Sequence, residues 1–162
     1  MQVVVTNAQR GASVDVRGIE RLARGAARRL RISGSGTMAI TFVSAQQIRR
    51  VNRRALGHDW ATDVLTFRYD HEPIIGEMLI APTVARTYAK AHGIPYEEEL
   101  SRYVIHGLLH WLGHEDATPA QQKRMRTMED QLLTACFVKR IGVKREACTK
   151  KNICLAQTDA SR

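Results

Sequence analysis

The stretch YEEELSRYVIHGLLHWLG, residues 96–113, constrains this chain most. Glu97, Glu98 and Glu99 stand where acidic side chains complement the positive end of a helix dipole. An apolar run follows, and Gly113 is a natural helix stop. The pattern predicts a helix from about Tyr96 to Leu112, carrying His106 and His110 four residues apart. Residues so spaced lie about 40° apart in azimuth and about 6 Å apart along the axis. Both imidazoles can therefore reach one ion. A metal held for chemistry usually takes three protein ligands and leaves one position for water, so a third donor is needed.

Three residues after the helix offer it: His114, Glu115 and Asp116. On a continuous helix His114 would sit about 12 Å along the axis from His106, and three side chains strung out in that way converge poorly on a tetrahedral centre. If the helix stops at Gly113, the chain can fold back and present a later residue to the same ion. Asp116 is at a suitable distance and a carboxylate is a legitimate zinc ligand; Glu115 stays open on the same grounds. Gly107 occupies the place where the H-E-x-x-H pattern puts its catalytic glutamate. The standard base for peptide hydrolysis is thus missing.

The rest of the chain reads as α+β. β-Branched residues mark a strand at 2–6, and Asp15 is placed to cap a helix reaching about Leu30. That helix has an apolar stripe at Val16, Ile19, Ala23, Ala26 and Leu30. A second strand is expected at 38–44, a second helix from Ala45 to about Ala55, and a third strand at 64–67. HEPIIG (71–76) reads as a turn and EMLIA (77–81) as a fourth strand. Pro82 opens a helix to about His92, and an amphipathic helix from Pro119 to about Phe137 closes the core. Strands and helices do not alternate regularly enough for a fully parallel sheet. The expectation is a small, mostly four-stranded mixed sheet packed with about five helices, the metal site at the end of the H-x3-H helix. Residues 1–137 form a single domain in this reading, and 138–162 a basic, flexible tail.

With 44% hydrophobic and 25% charged residues, the chain has the composition of an ordinary soluble protein. No apolar run is long enough to span a bilayer, so no membrane partner is expected. The N-terminal MQVVVTNAQRG lacks the parts of a signal peptide. Cys136, Cys148 and Cys154 are an odd number near the end of the chain and make no disulfide framework, which points to the cytoplasm. The net charge is +9, and a basic excess favours polyanions such as nucleic acid. Arg17, Arg21, Arg24 and Arg28 follow helical spacing on one face of the first helix, and Arg49, Arg50 and Arg53 lie on the second. These two faces are the candidate nucleic-acid contacts.

Three blocks resemble a single family. HGLLHWLGHED (106–116) is similar to H-G-x-L-H-L-x-G-Y-D-H, the signature of the YbeY family of bacterial metal-dependent endoribonucleases, matching at His106, Gly107, Leu109, His110 and Gly113. NRRALGHDWATDVLTF (52–67) resembles N-x-x-Y-R-x-x-D-x-P-T-D-V-L-S-F, and IIGEMLIAP (74–82) resembles the family's L-G-D-I-V-I strand. Two departures bear most on the chemistry. Asp116 stands where the family has its third histidine, and Leu56 where it has an arginine. The resemblance implies one zinc ion on His106, His110 and Asp116, with His114 outside the ligand set. It also implies cleavage of single-stranded RNA, in maturation of the 16S ribosomal RNA 3′ end and in ribosome quality control, with ribosomal RNA and the ribosome as partners and no DNA.

The catalytic residue is unassigned. A proton acceptor could come from His58, Asp59, Asp63, His114 or Glu115, although Asp63 in T-D-V-L reads equally well as a brace for the strand. Arg53, one helical turn before Leu56, is the first candidate to replace the absent arginine. Arg53, His114 and Glu115 are thus the leading catalytic candidates. Met78, Leu79 and Trp111 read as core. The competing readings are a zinc metallopeptidase and a non-catalytic RNA-binding protein with a structural metal.

Overall fold

The computed structural model describes residues 1–32, 34–69 and 73–141, with side chains up to Cys136. The elements in chain order are β1 (Gln2–Asn7), α1 (Val16–Arg29), β2 (Thr37–Phe42), α2 (Ala45–Leu56), β3 (Val64–Arg68), β4 (Ile74–Ile80), α3 (Pro82–His92), α4 (Tyr96–Trp111) and α5 (Pro119–Ile141). The four strands form one mixed sheet in the order β1-β2-β4-β3. β1, β2 and β4 run parallel, and β3 pairs antiparallel with β4. This is the α+β architecture expected from the sequence.

Local signals set most boundaries. Asp15 caps α1 by accepting from the Gly18 amide at 2.9 Å. Ser44 and Gln47 form a reciprocal capping box at the start of α2, which satisfies two otherwise orphaned amides. Pro82 opens α3, as a residue without an N–H can do at no cost in hydrogen bonds. Two boundaries differ from expectation. β4 starts at Ile74 rather than Glu77, because Ile74 already pairs with Thr37 across the parallel ladder; of the predicted turn, residues 71 and 72 lie outside the described residues. α5 runs to Ile141, past the expected domain limit at 137, and the remainder of the predicted tail lies outside the described residues.

The core sits between the sheet and α4. Alternation along β2 and β4 sends Met38, Ile40, Phe42, Met78 and Ile80 into it, all fully buried. From α4, Val104, Ile105, Leu108 and Leu109 meet them. α1 contributes Ile19, Leu22, Ala23 and Ala26, whereas Val16 and Leu30 of the expected stripe are only half-buried. A smaller cluster of Val43, Ile48, Leu65 and Ala81 packs with half-buried Leu79 and Phe67. Trp111 is also half-buried, its Nε1 donating to the Ile75 carbonyl at 3.0 Å.

The packing explains Gly107. A β-carbon there would lie 2.6 Å from Met78 Sδ and 3.0 Å from Val64 Cγ1, closer than carbon and its neighbours tolerate. The glycine lets α4 approach β3 and β4 closely enough to bury Met78 completely. Gly107→Ala should lower stability by about 1–3 kcal/mol through overpacking, outweighing the gain of about 1 kcal/mol in helix propensity. Thermal unfolding checks this: Tm should fall by several degrees, and an unchanged or raised Tm would mean that the close approach does not matter.

Candidate metal centre

α4 ends in a turn that reverses the chain. Leu112 is its C-cap and Gly113 adopts φ +89°, a conformation open to glycine at little cost. The Gly113 amide donates to the His110 carbonyl at 2.9 Å, and the His114 amide to the Leu109 carbonyl at 3.0 Å. This pair of bonds is the Schellman arrangement. It carries the next residues back alongside the last turn of the helix.

The result is a convergent trio. His106 Nε2 and His110 Nε2 lie 2.9 Å apart, with their rings edge to face. Asp116 places one carboxylate oxygen 3.7 Å from His106 Nε2 and the other 3.7 Å from His110 Nε2. A tetrahedral zinc with bonds of about 2.0–2.1 Å needs donors about 3.3 Å apart, and these separations bracket that value. Two neutral imidazoles and a carboxylate are also a donor set suited to zinc. Among the described residues, His106, His110 and Asp116 are the group able to hold a metal ion in this way.

A second layer holds the trio. His106 Nδ1 donates to Glu129 Oε1 at 2.8 Å, which leaves the Nε2 lone pair facing the centre. Glu129, on α5, is buried and also lies 3.3 Å from Arg102. Arg102 is within 4 Å of Glu98, Glu99, Glu129 and Asp130, the closest being Asp130 at 2.6 Å. Burial disfavours protonated His106, but the hydrogen bond and charge of Glu129 outweigh it and raise its pKa. His110 is pushed the other way, by burial and by the neighbouring His106. Burial pushes Glu129 up, and its bonds to His106 and Arg102 pull it down further.

A cleft of about 430 Å³ opens beside the trio and is lined in part by Trp60, Asp63, Tyr88, Glu99, Arg126 and His106. Asp63 braces β3, accepting from the Val64 amide and the Thr62 hydroxyl at 2.9 Å each, and also lines this cleft. The other candidates lie elsewhere. Glu115 accepts from Gln121 at 3.4 Å on the exposed side of the loop. His114 supplies its amide to the helix stop, and its side chain is not in the trio. Asp59 takes a bidentate bond from Arg49, 3.0 Å to each oxygen, with Arg53 at 3.9 Å. Arg53 and Leu56 are exposed and do not line the cleft. Arg17, Arg21, Arg24 and Arg28 are exposed on α1, which packs on β1; α2, with Arg49 and Arg50, packs on β3. The two basic faces thus sit at opposite ends of the sheet.

Glu129 and Arg102 were not among the residues expected at the site. Their signal was a charge set in an apolar stripe: Glu129 falls between Met125 and Leu133, and Arg102 one turn before His106. Such a residue is almost never fully buried unless paired.

A convergent His-His-Asp cluster beside an open cleft, on an α+β domain, defines a candidate metal-binding protein. Residues 4–136 match the family described as Endoribonuclease YbeY, and the chain belongs to that family. Among its relatives, an Endoribonuclease YbeY of Bacteroides fragilis is 37% identical over 99 residues, covering 60% of this chain and 71% of the relative. One of Chlorobium phaeovibrioides is 37% identical over 110 residues, covering 65% and 74%. One of Myxococcus xanthus is 39% identical over 103 residues, but that span is only 35% of its own length. The solution structure of TM1509 from Thermotoga maritima shares the fold, with a TM-score of 0.61 at 23% identity over 93% of this chain and 99% of that one. No helix among the described residues is long and apolar enough to cross a membrane.

The link from Glu129 to His106 sets a pH dependence. A proton on His106 competes with the metal, and the pKa is raised, so metal affinity should begin to fall while the pH is still above the ordinary imidazole range. Glu129→Gln removes the charge that raises it. The loss should then start at lower pH, and affinity at pH 8 should weaken by about 10–100-fold. Competition with a chromophoric chelator measures both, and an affinity unaffected by Glu129→Gln would show that this carboxylate does not act on the centre.

Proposed function

We propose that this chain is a zinc-dependent endoribonuclease specific for single strands, acting in the cytoplasm on ribosomal RNA in maturation of the 16S 3′ end and in ribosome quality control. The observation that carries the reading is the three-donor centre, with Asp116 42% exposed, in a chain whose family is named for RNA cleavage. Three protein donors leave a coordination position for water, whereas structural zinc sites are usually closed by four. His106, His110 and Asp116 would hold one zinc, which lowers the pKa of bound water and polarises a phosphoryl oxygen. Glu129 fixes the ring of His106. Asp63, His114 and Glu115 are the groups near enough in chain or cleft to accept a proton. Arg53, or Arg126 at the cleft, supplies the cation that Leu56 does not. The peptidase reading is weaker: Gly107 is packed against Met78 and has no room for the glutamate that peptide hydrolysis uses. Arg17, Arg21, Arg24 and Arg28 on α1, with Arg49 and Arg50 on α2, contribute phosphate contacts away from the chemistry, so affinity should fall steeply with salt.

The test is incubation of zinc-loaded and chelated protein with single-stranded RNA, double-stranded RNA and casein. Zinc-dependent cleavage of single-stranded RNA alone is expected, lost in His110→Ala. Arg53→Ala should lower turnover more than it weakens binding, and Leu56→Arg should keep or raise it. Cleavage of casein, or RNA cleavage that survives both chelation and His110→Ala, would overturn the reading.

A further inference from the structure

We propose that the cleft beside His106 is a nucleobase subsite, in which an unpaired base of the bound strand stacks on Trp60 and Tyr88 next to the metal centre. The proposal rests on the RNA-cleaving reading above and identifies what holds the strand at the site.

Both rings are exposed where a lone aromatic side chain would ordinarily be covered: Trp60 is 58% and Tyr88 39% exposed. Both line the cleft that reaches His106. Each is already oriented by an imidazole. His58 stacks on Trp60 at 4.4 Å and 14°, and His92 stacks on Tyr88 at 3.9 Å and 20°. The loop under Trp60 is tied down by buried Asn52, whose amide donates to the Trp60 carbonyl at 3.0 Å. His92 Nδ1 lies 2.9 Å from the Tyr88 carbonyl. A platform fixed in advance loses little freedom when a ligand stacks on it.

The charges around the cleft favour a base over a phosphate. Asp63 and Glu99 both line it, and carboxylates repel a phosphodiester. Arg102 also lines it, but its guanidinium hydrogen-bonds Glu129 and Asp130 and lies within 4 Å of Glu98 and Glu99. Arg126, 53% exposed, is the cleft cation with most access to solvent. A neutral aromatic ring suits such a lining, its phosphates lying outside toward Arg126. Base–aromatic stacking is tolerant of sequence because every base has a π-face. A base inside a duplex has both faces covered by its neighbours, so a stacking subsite selects single strands.

The test uses the full chain loaded with zinc. A short single-stranded oligoribonucleotide and its abasic counterpart are each mixed with protein, and tryptophan fluorescence is followed by stopped flow alongside steady-state cleavage. The oligoribonucleotide should quench the wild type, and Trp60→Phe should abolish most of that quench while keeping KM within about threefold, because phenylalanine preserves the stacking face. Trp60→Ala and Tyr88→Ala should each raise KM by roughly 5- to 150-fold, the range typical of one lost base stack, with a smaller effect on kcat. The abasic strand should bind the wild type as weakly as the intact strand binds Trp60→Ala. RNA cleavage with KM unchanged in both alanine variants, or equal binding of the abasic strand, would overturn the subsite and leave the RNA-cleaving reading standing. Quenching through Trp60 by RNA that no metal-loaded protein cleaves would do the reverse. Quenching by an unstructured peptide and not by RNA would overturn both.

Discussion

The reversal of the chain at Gly113 is the constraint on which the site depends. Two histidines one helical turn apart give two donors, and a straight helix has no third to offer nearby. The helix stop satisfies the last carbonyls of α4 and turns the backbone so that Asp116 returns to the imidazoles of His106 and His110. A residue with a β-carbon would strain the positive φ at Gly113. A local rule of helix termination thus brings together the three donors of the candidate metal centre.

The centre also needs α4 to be held still, and two features of its packing do so. On one side, Gly107 lets the helix lie close against Met78 and Val64. On the other, Arg102 and Glu129 link α4 to α5 through a largely buried ion pair. Such a pair adds little net stability, because desolvating two charges offsets their attraction, but removing one partner typically costs about 3–5 kcal/mol. Glu129 is therefore both an electrostatic anchor between helices and the acceptor that orients His106. Burial pushes the Glu99 carboxyl up, and the neighbouring Arg102 guanidinium pulls against that shift.

The α+β class and, among the described residues, all four strands and all five helices were legible in the sequence, since periodicity, caps and breakers are local signals. The trio was legible for the same reason: its donors fall within eleven consecutive residues, and the one glycine among them that adopts a positive φ decides the geometry. What sequence could not provide was partnership over distance. Glu129 is 23 residues from His106 on another helix, and nothing local says which carboxylate will meet that ring. The start of β4 was misplaced because the pairing of Ile74 with Thr37 overrides the turn character of a proline nearby. Arg53 was chosen by helical spacing from Leu56, but spacing carries no information about Asp59, which lies beside it.

The central claim is that His106, His110 and Asp116 together hold one metal ion. X-ray absorption at the zinc edge of the loaded protein tests it most directly. The account predicts two imidazole nitrogens and at least one oxygen at about 2.0–2.2 Å and no sulfur, a spectrum that His114→Ala leaves unchanged and Asp116→Ala alters or empties. Sulfur at about 2.3 Å, or an imidazole lost in His114→Ala while Asp116→Ala stays as the wild type, would contradict it.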